Sequence, residues 1–207
     1  MRWVALSAVV VTAGIGLLHT PLGRPLMMRV GMGCPARKVS PEAAEALRMR
    51  GVRGLRGPAP APARPALGLA LDGARQSDAQ AWAAARGGTC AVRERPSSLL
   101  TCHHLAAYDE VTFGFAPDGR LVSVATLRER LPGAAAAGAF EDIHRQLAAR
   151  LATDGELAGD PAPARLEAGP LRVARLQYRF ADYLATVTAM NLPEGIALRE
   201  QYQSARD

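Results

Sequence analysis

EVTFGFAPDGRLVSVATL, residues 110–127, decides the fold of this chain. Val111, Phe113 and Phe115 alternate with Thr112 and Gly114, the period of a strand that turns one face to a core. Pro117, Asp118 and Gly119 then supply turn chemistry, because proline presets φ, aspartate bonds its own backbone and glycine accepts a positive φ. Residues 121–127 read as the returning strand, so the stretch is an antiparallel hairpin.

Upstream, residues 89–94 and 98–103 predict a second hairpin around Arg95, Pro96 and Ser97, with Cys90 and Cys102 equidistant from Pro96. Opposed residues of an antiparallel pair sit at a Cα separation that a disulfide accepts, so a Cys90–Cys102 bond is expected. The alternative is two reduced thiols in a cytosolic protein. Before this hairpin, a capping box from Ser77 to Gln80 opens a helix through Trp82 to Arg86, closed by Gly87 and Gly88. Downstream, a helix over about 134–153 carries Phe140, Ile143, Leu147 and Leu151 on one stripe, with Glu141 and Arg145 paired on its outer side. After a loop over 159–170, Ala174, Leu176, Tyr178 and Phe180 alternate with Arg175, Gln177 and Arg179. Strands over 183–190 and 196–202 follow, joined across Pro193, Glu194 and Gly195. The expected fold class is α+β, an antiparallel sheet or sheets covered on one face by two helices. Residues 66–207 are its body, either one unit or two helix-then-strand units over 66–130 and 131–207. A faint match of letters supports duplication, with Phe113, Phe115, Ala116 and Asp118 set beside Tyr178, Phe180, Ala181 and Asp182.

The chain has 207 residues, 49% of them hydrophobic but only 5% aromatic, so its core is built from Ala, Leu and Val. That composition excludes disorder throughout and a many-pass membrane protein. Residues 3–18, WVALSAVVVTAGIGLL, carry no charge and would span roughly 24 Å as a helix, against about 30 Å of bilayer hydrocarbon. No A-x-A cleavage site follows the run, so residues 1–22 are expected to be a membrane anchor or uncleaved signal. Residues 23–65 read as a basic tether: a short helix started by Ser40, Pro41 and Glu42, then a Pro/Ala spacer over 51–64. Cys34 lacks the leucine of a lipoprotein motif, so no lipidation is expected and its thiol is free or bridges two chains.

Charge is divided unevenly. Residues 1–64 hold 10 basic and 2 acidic side chains, and residues 65–207 hold 15 and 17. A nucleic-acid-binding domain would carry its positive footprint on the folded body, so no nucleic-acid partner is expected. Arginines crowded behind an apolar run suit anionic lipid headgroups or a solvated linker. Arg24, Arg29, Arg37 and Lys38 favour a cytoplasmic body by the positive-inside rule, while the cysteine pair favours an oxidising compartment. The expected location is the inner membrane, with one N-terminal anchor and the body in the periplasm.

A tether leading to helix-then-strand units, a helix bearing Trp82, the Gly87-Gly88 stop and the hairpin from Phe113 to Leu121 together resemble two kinds of exported module. These are the small lipoprotein of the outer-membrane β-barrel assembly machine and the β-lactamase inhibitory protein. The resemblance covers residues 67–127, and the second unit more loosely. It implies an exported binding module acting through a sheet face, without naming a partner or any site residue.

Chemistry is sparse. Cys102, His103 and His104 are the only cluster of metal-ligand types, and neighbours on a strand point to opposite faces. No nucleophile elbow, phosphate loop, zincin helix or dinucleotide fingerprint occurs. No catalytic, cofactor or metal residue is therefore assigned. The expected function is a non-catalytic binding or assembly module of the cell envelope with an envelope protein as partner, and the alternative is a small envelope hydrolase. Arg175, Gln177 and Arg179 are the expected partner face.

Overall fold

The turn at 116–120 closes as its residues require. Ala116 N–H donates to Arg120 O, Gly119 N–H donates to Ala116 O, and Gly119 takes φ +83°. The computed structural model describes residues 40–93 and 98–206. Residues 1–22, expected to be a membrane anchor or uncleaved signal, Cys34 and the turn at Pro96 lie outside the described residues. No described helix is long and apolar enough to cross a membrane.

The fold is α+β, with four helices and eight strands among the described residues. Helix α1 (Pro41–Arg53) comes first, then α2 (Gln76–Ala84), β1 (Thr89–Arg93), β2 (Ser98–Leu105), β3 (Tyr108–Phe115) and β4 (Leu121–Leu131). The long helix α3 (Gly133–Leu151) leads to β5 (Glu156–Ala158), the single turn α4 (Pro163–Leu166), β6 (Val173–Arg179), β7 (Tyr183–Leu192) and β8 (Gly195–Ser204). All strand pairs are antiparallel, in the order β1-β2-β3-β4-β8-β7-β6-β5. Two four-strand meanders therefore meet along β4 and β8, and one core spans both. The repeat is one of order, helix then four strands. The matched letters fall out of step with it, since they set the β3–β4 hairpin beside β6–β7 rather than β7–β8.

The disulfide joins Cys90 to Cys102, which are register partners on β1 and β2. Along α3, Ala136, Phe140, Ile143, Leu147 and Leu151 are buried, and the helix packs on β7 and β8. Helix α2 packs on β1 and β2, and its Trp82 meets the Phe113 ring of β3 edge to face at 5.7 Å. Its N-cap is Arg75 rather than Ser77, and Asp78 accepts from the Arg75 N–H at 2.7 Å. On α3, Arg145 pairs with Asp142 at 3.1 Å, not with Glu141.

Residues 40–65 differ most from the expected tether, for they belong to the same compact unit as the body. Ser40 caps α1 through Ala43 N–H, and the helix runs to Arg53, into the stretch expected to be spacer. The Pro/Ala stretch behind it is extended but pinned. Ala59 O accepts from Ala181 N–H, Asp182 Oδ1 accepts from Ala61 N–H, and Pro65 O accepts from the Tyr183 hydroxyl. A side chain at Gly57 would strike Arg179 O at 2.1 Å, so only glycine permits this approach.

All four tyrosines have phenols pushed above their usual range, chiefly by burial: Tyr178 to about 12, and Tyr108, Tyr183 and Tyr202 upward. The unfolded chain releases these protons near pH 10, whereas the folded chain retains them, so base favours unfolding. The phenols' contribution should be nil below about pH 10 and should lower stability above it. In an alkaline titration, phenolate absorbance should rise together with loss of circular dichroism. Four independent transitions near pH 10 with the fold intact would contradict this packing.

Candidate functional site

Period two assigns each strand residue to one of two faces, and the register joins these assignments across the sheet. One face bears Leu100, Phe113, Val124, Tyr202, Val187 and Leu176, all buried beneath the helices and loops. The other face is open. One row across it runs Ala91, Thr101, Thr112, Ala125, Gln201, Thr186, Gln177 and Glu156, one residue from every strand. The next runs His103, Glu110, Leu127, Arg199, Thr188, Arg175 and Ala158. None of these residues is buried. Thr, Gln and Arg dominate, side chains that fit a solvated strand surface and can bond to a partner.

Arg175, Gln177 and Arg179 all lie on this open face, on β6. Arg179 donates to Gln177 Oε1 at 2.6 Å and approaches Glu156 at 3.9 Å, so part of its charge is met locally. Arg175 and Arg199 flank Thr188 in one row, and both are exposed. Neither guanidinium has an ion-pair partner among the described residues. The β6–β8 end of the face is therefore cationic, a feature that needed the register, because Arg199 is 24 positions from Arg175.

Helix α1 borders the face at one end. Pro41, Ala44 and Arg48 form a groove with Leu99, Gly114 and Ser123, the open-face residues of β2, β3 and β4. At its other end, Val52 packs with Leu184 and Ala205, and Arg48 donates to Ser204 O. Thirteen residues make a helix about 20 Å long, which matches the four strand spacings from β2 to β7. The sequence does not signal this placement, because α1 has a short apolar stripe that a free amphipathic helix would share.

The remaining sequence candidates separate. Cys102 is committed to the disulfide, so its thiol is not available to a metal. His103 and His104 are both exposed, and His104 sits at positive φ where the β2–β3 register skips a residue. No group of three His, Cys, Asp or Glu side chains converges among the described residues. Compared with known protein families, curated proteins and solved structures, the chain matches none.

Proposed function

We propose that this protein is a membrane-anchored, non-catalytic binding module of the bacterial cell envelope. Its N-terminal segment holds it in the inner membrane, its body lies in the periplasm, and its open sheet face engages an envelope protein with an acidic surface. The observation that supports this reading most is the cationic end of the open face. Arg175 and Arg199 stand exposed on one row, with Gln177 and Thr188 between and beside them. Every strand beneath is paired, so these side chains are presented without an ordering cost for the backbone. Complementary charge of this kind governs encounter rate and partner choice more than raw affinity.

Photoreactive residues introduced at Gln177 and Thr188 in whole cells should give one specific crosslinked species, absent when the same residue replaces Glu141 on α3. Reversing charge with Arg175→Glu and Arg199→Glu should abolish it. Equal crosslinking from Glu141, or crosslinks unchanged by the reversal, would refute the face. The compartment has its own test. Thiol titration of denatured, unreduced protein from its native host should find one free thiol or none, and three free thiols would place the body in a reducing compartment.

A further inference from the structure

On the opposite, helix-covered side of the sheet lies a cleft of about 520 Å³. Its apolar wall is Ala139, Ile143 and Leu147 of α3, facing Leu67, and its polar floor is Tyr108, Arg128, Glu200 and Tyr202. Glu200 is the only buried carboxylate among the described residues, at 4% exposure. It sits on the core face of the central strand β8, opposite Thr126. Such a group is costly to bury unless it is paired and bonded.

The hydrogen bonds show which capacity of the floor is spent and which is not. Glu200 Oε1 accepts from Thr126 Oγ1 and from Arg128 Nη2, and Oε2 accepts from the Tyr202 hydroxyl. The carboxylate is thus met by three donors, leaving a ligand ammonium group to compete with all of them. Donors, by contrast, remain over. Arg128 gives only Nη2 to the carboxylate, its Nε being sealed in without a partner, and the Tyr108 hydroxyl bonds to no other described residue. Arg128 also lies 5.5 Å over the Tyr108 ring, which fixes the guanidinium between ring and carboxylate. Burial holds the Tyr108 phenol protonated and therefore able to donate. At the rim, Asp142 is engaged by Arg145, whereas Arg150 also lines the cleft. A hollow of about 340 Å³ against Trp82 and Leu105 shares Leu67 and Tyr108 and extends the apolar room.

A cavity with an apolar wall and unspent donors on its floor calls for a ligand that is apolar at one end and accepts hydrogen bonds at the other. We propose that this cleft binds a small organic carboxylate with an apolar body, its carboxylate on Arg128 and Tyr108 and its body against Ala139, Ile143 and Leu67. The site is on the other face of the sheet from the partner surface and does not depend on it.

The probe is 4-fluorophenylacetate, followed by its fluorine resonance with the purified full chain, beside 4-fluorobenzylamine and inorganic phosphate. Saturable broadening of the acetate probe is expected, with no broadening of the amine and no displacement by phosphate. Ala139→Trp, which fills the wall and leaves the floor untouched, should weaken binding at least tenfold, and so should the charge-neutral pair Arg128→Met with Glu200→Gln. Thermal melts verify that each variant is folded, and if one is not, the other decides. Equal binding of the amine, displacement by phosphate, or undiminished binding to both folded variants would overturn the proposal.

Discussion

Phe113→Ala is expected to lower the unfolding free energy by about 3 to 5 kcal/mol, the range for removing a fully buried phenylalanine. Phe113 is fully buried on β3 and packs edge to face on Trp82, whose indole N–H donates to Leu67 O. With only 5% aromatic residues, few neighbours are large enough to close the void. The substitution also removes the contact that seats α2 on the first meander, so Trp82 emission should shift red before global unfolding. Val92→Ala, on the edge strand at 44% exposure, should stay within about 0.5 kcal/mol. Urea unfolding of the two variants checks both values, and a loss below about 1 kcal/mol for Phe113→Ala would mean that the ring is not in the core.

The hairpin of residues 110–127 was legible because its signals are local. Alternation places Phe113 inside, Asp118 and Gly119 close the turn, and the register follows, with Phe113 opposite Val124. The disulfide was legible for the same reason, since the symmetry of Cys90 and Cys102 about Pro96 is a short-range property. The α3 stripe was equally plain. The pairing of β4 with β8 was not, because it joins residues 65 to 80 positions apart, such as Thr126 and Glu200, and strand order leaves no local mark.

Residues 57–65 mark the limit more sharply. Proline and glycine report an extended backbone, but a free spacer and a pinned strap share that conformation. What pins it are Ala181, Asp182 and Tyr183, about 120 positions away. Strand β5 escaped notice because three exposed residues carry no period. In the candidate face, alternation put Arg175, Gln177 and Arg179 on one side, yet the company of Arg199 and Thr188 came only with the register. Glu200 had a usable signal, since it falls in step with Leu198 and Tyr202, two residues to either side, and so belongs to the buried side. A carboxylate at such a position is the kind of local conflict that collects at functional sites.

Arg128→Met is expected to cost about 3 kcal/mol, because it strands the buried Glu200 carboxylate without its countercharge. Glu200→Gln should cost less, about 1 kcal/mol, since the amide still serves Tyr202 and Thr126, and Arg128, with 23% of its side chain exposed, can turn toward water. If the ion pair were worth its full apparent strength, the double variant would lose at least as much as Arg128→Met. The opposite is expected: with the charge gone from Glu200, the methionine faces a neutral amide, and the pair should lie within about 1 kcal/mol of the parent. The coupling between the sites is then about 3 to 4 kcal/mol, measured by a double-mutant cycle in urea. Additive losses would show that Arg128 stabilises the body by packing alone. Strong coupling would mean that Arg128 is held in the cleft by Glu200, and that the arginine is kept there at no net gain in stability over a neutral pair.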